Sequence, residues 1–548
     1  MTINDMKQTN FTEASFADWE QAAIKSLKGK SLESLETKTL EDIILKPLYT
    51  LADLTNISLD QTNTVRHSKE TANWKVAQHS TANTAEEIIV DMKENLSKGN
   101  DLINYKVDAI HEWSPSQIEE LKILFQEHEV LLDVENNPSF LDHFDELHGF
   151  IIGADRKLTG ARSLHLDGTQ LHKAGGDVVS ELASVLVQAD TLAHLNGIEE
   201  LEEKAFVQFS IDTNFFMEIA KLRAFRVLWK AFGEAFGKEN INAIPVYTET
   251  SLRSFSALDS NVNLLRAGNS ILSSVLGGAD IVSSYPHNYL SEITPTSKRI
   301  ARNMQLVLKE ETHIQRVIDA AGGSYYIESL TKQLVEKTWA YFIDLMKDSS
   351  PESRESMLLQ RASEKWELQL KAVSTRKKSL IGTNNYANPE DGLEEIVIQS
   401  DYRRLAEPFE HLRKAFKQYQ LKAAILPYGV LKEYKPRMDY INGYLNAIGI
   451  TPVIAQENLK PFDLQQWINN ENIQYAIFVG SDEQTAGLVP ALLNEKLSVP
   501  LDVAGKFAEY DDWLEAGLSG YIYAGQSMLV KGKELLALAQ KEGSHDNA

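Results

Sequence analysis

Residues 423–450 read AAILPYGVLKEYKPRMDYINGYLNAIGI. The apolar run Ala423 to Leu426 has the length and composition of a buried strand, and a helical pattern runs from about Met438 to Leu445, ending at Asn446, Ala447 and Gly449. Strand followed by helix is the repeating unit of an α/β layer. The runs KAAILP, TPVIA, YAIFVG, PLDVAG and GYIYAG alternate with helical stretches over residues 419–548. Five such units in about 125 residues predict a flavodoxin-like doubly wound domain. Ligands in such a domain sit outside the carboxyl ends of the strands, so the first strand–helix loop is where chemistry is expected. That loop, Tyr428 to Arg437, reads YGVLKEYKPR. It is bulky and cationic, where working loops usually carry Gly, Ser, Asp or His.

Towards the amino terminus the composition changes. Residues 351–418 are polar, with PESRES, STRKKS and NNYANPEDG, and are expected to form a helical linker. Within residues 86–350, LINYKVDA, VLLDVE, GFIIGA, RSLHLDG, AFVQFSID, AIPVYTET and ADIVSSY read as strands. DVVSELASVLVQADTLAHL and NFFMEIAKLRAFRVLWKAF read as helices between them. Ser114-Pro115-Ser116-Gln117 opens another helix, with a capping-box spacing and proline at the first helical position. About eight alternations in about 260 residues predict a (β/α)₈ TIM barrel. Residues 1–85 begin with one amphipathic helix, Phe16 to Leu27. They continue in LKPLYTLADLTNISLDQTNTV, expected to be an extended arm that wraps a partner.

At 548 residues the chain exceeds one ordinary core, which fits this two-domain reading. A formal charge of −23 argues against nucleic acid and anionic membrane as partners. Without cysteine there is neither a disulfide nor a thiolate ligand. No stretch approaches the ~20 apolar residues of a membrane helix, and no leader pattern opens the chain, so a cytoplasmic address is expected.

Common catalytic motifs are weak here. Gly29-Lys30-Ser31 resembles the end of a phosphate loop, but Ile24 occupies the place of its first glycine. No G-x-G-x-x-G follows a strand, and the glycine pairs of VLGGAD, KAGGD and AAGGSYY mark turns. The acidic IEELEEK reads as a solvated helix face. His165 and Asp167 alternate on one strand with His172 close behind. These could begin a metal site, although a zinc centre needs three protein ligands.

Longer segments are more specific. FFMEIAKLRAFRVLW, ETSLRSFSALDSNVNLLRAG, VLGGAD, SKRIARNMQLVLKEET and AAGGSYYIESLT resemble those of the cobalamin-dependent acyl-CoA mutases, above all methylmalonyl-CoA mutase. LKPLYT and Asn384-Asn385-Tyr386 fit as well. The resemblance implies a substrate-binding barrel followed by a cobalamin domain. It also implies radical interconversion of methylmalonyl-CoA and succinyl-CoA with adenosylcobalamin. Catalytic members carry Asp-x-His-x-x-Gly in the loop quoted above, where the imidazole holds cobalt and the Asp accepts its other N–H. Here the Asp position falls at about Lys432, the His position at about Tyr434 and the Gly position at Pro436 or Arg437. No histidine lies between His411 and His545, so no register supplies the ligand.

The barrel shows a parallel loss. In LHLDGTQLHKAGG the family's catalytic His falls on Gln170 and the tyrosine before it on Thr169. Glutamine donates a hydrogen bond but exchanges no proton. VRHSKETANW stands where a glycine- and tyrosine-rich substrate-channel segment is expected. The resemblance therefore implies the non-catalytic small (β) subunit of a heterodimeric methylmalonyl-CoA mutase. Cobalamin would be bound by the homologous catalytic large subunit, with no catalytic, cofactor or metal residues here beyond the vestigial Gln170, Lys432 and Tyr434. The alternatives are a barrel enzyme with new chemistry, its metal at His165 and Asp167, or an interaction module for cobalamin-loading partners.

Overall fold

A computed structural model describes residues 3–8, 14–54, 59–108, 111–154, 156–348, 350–391 and 402–545. Strands β1 (Thr37–Lys38) and β2 (Ile44–Leu45) form a small antiparallel hairpin. Nine parallel-paired strands follow: β3 (Lys75–Ala77), β4 (Ile103–Lys106), β5 (Val130–Asp133), β6 (Glu146–Ile152), β7 (Thr159–Arg162), β8 (Leu164–Asp167), β9 (Ala205–Ile211), β10 (Val246–Thr250) and β11 (Ile281–Ser283). They make two sheets, ordered β3-β11-β10-β9-β8 and β4-β5-β6-β7. A parallel bridge between His79 and Asn104 links β3 to β4. On the other side, Ser163 alone separates β7, paired with β6, from β8, paired with β9.

The seven strands expected in this region are all present. Two further ones, β3 and β7, lie in the short runs KVA and TGAR, too brief to carry a clear period. Alternation along β9 explains the layering. Val207, Phe209 and Ile211 pack outward on the helices Val178–Asn196, Phe215–Ala235 and Tyr325–Met346. Phe206 points the other way, onto Phe150 of β6 and Tyr247 of β10. Burying each such apolar side chain stabilises the fold by roughly 1.5–3 kcal/mol. Ser114 and Gln117 form the expected reciprocal cap on the helix Pro115–Glu127.

The arm differs from expectation. Leu59–His67 is a helix, Val65 is buried, and Gln61 donates 2.9 Å to Glu328 on the helix Tyr325–Met346. Ile43 is 1% exposed in the main core. Apolar residues spaced through a Thr- and Asn-rich sequence thus anchor it to its own module; residues 55–58 of the expected arm lie outside the described residues. Phe16–Ser26 is the amphipathic helix expected, closed by a Ser15–Asp18 capping box, and it buries none of its side chains.

After the helix Pro351–Ser374, the helix Glu407–Gln418 enters the second core through Phe409, Leu412 and Phe416. The second sheet contains all five expected strands: β12 (Ala423–Pro427), β13 (Val453–Ile454), β14 (Tyr475–Val479), β15 (Leu501–Ala504) and β16 (Gly520–Ile522). It is parallel, in the doubly wound order β13-β12-β14-β15-β16. Among the described residues no helix is long and apolar enough to cross a membrane.

Candidate functional site

In parallel α/β modules function gathers at the carboxyl ends of the strands. In the first module that end holds a cavity of about 640 Å³, lined by His79, Lys106, His111, Lys173, Tyr285 and Tyr402 among others. Just inside it, on β10, Glu249 is 4% exposed. Its carboxylate accepts hydrogen bonds from Ser210 (3.1 Å), Gln208 (3.2 Å), Tyr285 (3.1 Å) and Tyr402 (2.8 Å). Four donors occupy the lone pairs that a general base would need. Tyr402 comes from the segment entering the second module and stands edge-on to His172, with ring centres 6.1 Å apart.

The residues singled out in the sequence do not converge. Gln170 is exposed on the short helix Thr169–Lys173, and the buried Thr169 donates its N–H to Asp167 Oδ1 at 2.6 Å. His165 stacks on Phe206, ring centres 5.0 Å apart, and burial pushes its imidazole below the ordinary value. Among the described residues no three His, Cys, Asp or Glu side chains are grouped to hold a metal. His165, Asp167 and His172 therefore form no such centre.

Sequence reading missed the network around His172. The ring lies 2.7 Å from Glu181 through Nδ1 and 2.7 Å from Ser251 Oγ through Nε2. Lys221 then bridges Glu181 (2.9 Å) and Glu218 (2.6 Å). A Ser–His–Glu relay is the arrangement of an activated nucleophile. Here Ser251 is 3% exposed and His172 1%. Burial, assisted by Arg253 and Lys221, holds the imidazole well below its ordinary value. Burial also raises both carboxyls, Glu181 and Glu218. No substrate reaches Oγ in so enclosed a place, and the network is a buried polar brace. Its signal was spread over Lys221, Glu218 and Glu181, in segments that read only as helices between strands.

In the second module the corresponding place is the crossing after β12. The expected ten-residue loop is much shorter, because the helix begins at Leu431 and runs to Ile448 with Pro436 inside it. Tyr434, Ile441, Tyr444, Leu445 and Ile448 form its buried face, while Pro436 and the charged residues between disguise the period. The Tyr434 hydroxyl donates to Glu457, and Lys432 is exposed. Arg437 donates 2.8 Å to the Gly480 carbonyl and also binds Asp482. Gly429, at φ +100°, packs so closely on Gln484 that a Cβ would come within 2.1 Å of Oε1.

A family profile for methylmalonyl-CoA mutase matches residues 143–426, more than half of the chain. The chain belongs to the methylmalonyl-CoA mutase family. A methylmalonyl-CoA mutase small subunit of Porphyromonas gingivalis is 27% identical over 411 residues, which cover 69% of this chain and 66% of the relative. One from Streptomyces virginiae is 28% identical, covering 65% and 62%. A methylmalonyl-CoA mutase of Rhizobium meliloti is 37% identical over 186 residues, covering 32% and 26%. The chain thus spans about two thirds or less of the relatives it matches.

Methylmalonyl-CoA mutases are generally cobalamin-dependent, which makes the crossing after β12 the place to test for cobalt ligation. The residues there do not fit it. The crossing carries no imidazole, its phenol is committed to Glu457, and the space beside Gly429 is filled by Gln484. Lys432, at the position of the family's Asp, only donates and could not hold an imidazole N–H.

Proposed function

We propose that this chain is the non-catalytic small subunit of a methylmalonyl-CoA mutase. It would stabilise a homologous large subunit that binds adenosylcobalamin and interconverts methylmalonyl-CoA and succinyl-CoA. One observation carries the reading: the family's cobalt-holding loop is replaced by helix from Leu431, with Tyr434 turned onto Glu457. The saturated Glu249 and the exposed Gln170 support it, since neither is placed to move a proton on a substrate.

In this reading the nine strands close into one eight-membered (β/α)₈ barrel, β7 and β8 being halves of a strand bent at Ser163. Phe150, Phe206 and Tyr247 pack together on its inner face. The partner is a heterodimeric large subunit, and the cysteine-free composition suits a cytoplasmic enzyme.

The test is reconstitution. The chain alone should show no turnover of methylmalonyl-CoA and no base-off adenosylcobalamin spectrum; mixing with a large subunit carrying Asp-x-His-x-x-Gly should give a heterodimer with turnover. Micromolar cobalamin binding by the isolated chain would overturn the proposal.

A further inference from the structure

The helices Ser260–Leu276 and Pro295–Glu310, which follow β10 and β11, leave an apolar groove of about 430 Å³ between them. Ile300, Met304, Val307 and Leu308 line one side, at the i, i+4, i+7 and i+8 spacing of a single helix face, and Gly268 and Leu272 line the other. Val307 is 43% exposed. Leu265, three residues before Gly268 and 70% exposed, extends the apolar surface along the same face.

The chain's own packing does not require glycine at position 268. Its backbone is helical, and a Cβ there would meet only Met304 Sδ, at 3.6 Å, an ordinary contact. Glycine inside a helix is nonetheless among the least favourable choices. The missing side chain keeps the groove deep enough for a second apolar surface.

The same chain carries an uncovered apolar face of matching length. The helix Phe16–Ser26 buries none of its side chains, and Phe16 lies against the half-buried Trp19, ring centres 5.2 Å apart. Its eleven residues span about 16 Å, and the groove wall from Arg299 to Leu308 spans about 14 Å. Unmatched charges run in complementary order along the two. On Pro295–Glu310, Lys298 and Lys309 are paired with Asp91 and Asp101, which leaves the exposed Arg299 towards the amino end and the exposed Glu310 and Glu311 at the carboxyl end. Along Phe16–Ser26 and just beyond it, Glu20 precedes Lys25 and Lys28. Among the described residues none of these unmatched charges is in an ion pair. Laid along Pro295–Glu310 in the same direction, the helix sets Glu20 beside Arg299, and its lysines beside Glu310 and Glu311.

We propose that this groove seats the helix Phe16–Ser26 of a second copy of the chain, with Phe16 and Ile24 entering against Gly268 and Val307. Each copy brings one helix and one groove, so the contact closes on itself as a two-fold dimer. Its area lies at the weak end of protein interfaces, which sets a Kd of roughly 10–100 µM. At the concentration of a thermal scan, about 5 µM, the contact is mostly open. It belongs to the isolated chain: a large subunit that takes the helix under the proposed function displaces it. The dimer does not depend on the mutase reading, because the chain is tested alone.

Sedimentation velocity of the full-length chain measures this directly. The chain should be monomeric at about 1 µM and mainly dimeric at about 300 µM. Gly268→Leu fills the groove while improving the helix, so it should weaken dimerisation at least about tenfold without lowering the thermal midpoint. Phe16→Ser, at a position 52% exposed, should weaken it to a similar degree. Arg299→Glu and Glu20→Lys should each weaken it about threefold, and the two together should recover it. Leu359→Ser, at a position 47% exposed on another helix, should change nothing. A monomer at every concentration, a dimer that Gly268→Leu or Phe16→Ser leaves intact, equal sensitivity to Leu359→Ser, or a charge exchange without recovery would each overturn the proposal.

Discussion

The Tyr402 hydroxyl donates a 2.8 Å hydrogen bond to Glu249 Oε1 on β10. The chain thereby ties the segment entering its second module to the inner face of the first. The same segment donates the Leu405 N–H to the Arg253 carbonyl (2.9 Å), and Arg404 forms a two-pronged ion pair with Glu410 at 2.7 Å. A buried carboxylate with several donors is costly to disturb, because removing it leaves donors without their acceptor.

Two substitutions should differ accordingly. Tyr402→Phe keeps the ring and removes one donor, and is expected to cost about 1 kcal/mol. Glu249→Ala takes the acceptor from Gln208 and Tyr285 and leaves Ser210 and Tyr402 only each other, and should cost at least about 3 kcal/mol. Urea unfolding of both variants measures this; equal midpoints would show that the carboxylate is not the centre of the network.

Glu41 gives stability a pH dependence of definite sign. Burial, with Asp177 nearby, raises its carboxyl to about 7. The folded chain therefore holds a proton that the unfolded chain has released above its ordinary value of 4.5. The stabilisation is complete below about 4.5 and is lost as pH rises to about 7, a swing of roughly 3 kcal/mol. Glu41→Gln keeps a neutral group of the same shape and should flatten that part of the stability curve. A variant whose unfolding free energy falls between pH 5 and 7 as steeply as that of the natural chain would contradict the assignment.

How far the sequence reaches is visible in particular elements. All five strands of the second sheet could be read because each is a short apolar run bounded by turns, as a strand covered on both faces must be. β3 and β7 could not, being only three and four residues long; β3 is placed by β11, far along the chain, and β7 by the preceding β6. The helix at Leu431 was hidden by Pro436, which marks a break in most sequences but is tolerated here within the second turn. At the sites, the missing histidine was legible from composition alone. The Glu249 donors and the Lys221 bridge were not, since they join β9, β10, two helices and the start of the second module through side chains.

Restoring the family's residues at the crossing should not restore its chemistry. In Lys432→Asp with Tyr434→His, both positions remain in the first turns of a helix, and residue 434 is buried with its tip towards the exposed Glu457. Arg437 and Gln484 still fill the opening. Adenosylcobalamin titrated into the double variant should keep its base-on spectrum. A base-off shift would mean that the two side chains, and not the shape of the crossing, decide ligation.

The amino-terminal helix Phe16–Ser26 gives the last prediction. It is capped at both ends of its first turn by Ser15 and Asp18, yet buries no side chain, and Phe16 and Ile24 are 52% and 38% exposed. An isolated helix of eleven residues is marginal in water, so its apolar side needs a surface. The module's own fold does not need it, because Ile43, Gln61 and Val65 anchor the chain further on. Under the proposed function that surface belongs to the large subunit, across an interface larger than roughly 2,000 Å². Deleting residues 1–30 should leave the thermal midpoint of the isolated chain within about 2 °C, since no core contact is lost. It should weaken association with the large subunit at least about tenfold in sedimentation of the mixed subunits, an effect of about 1.4 kcal/mol. If the truncated chain associates as tightly as the intact one, the helix is not part of the interface.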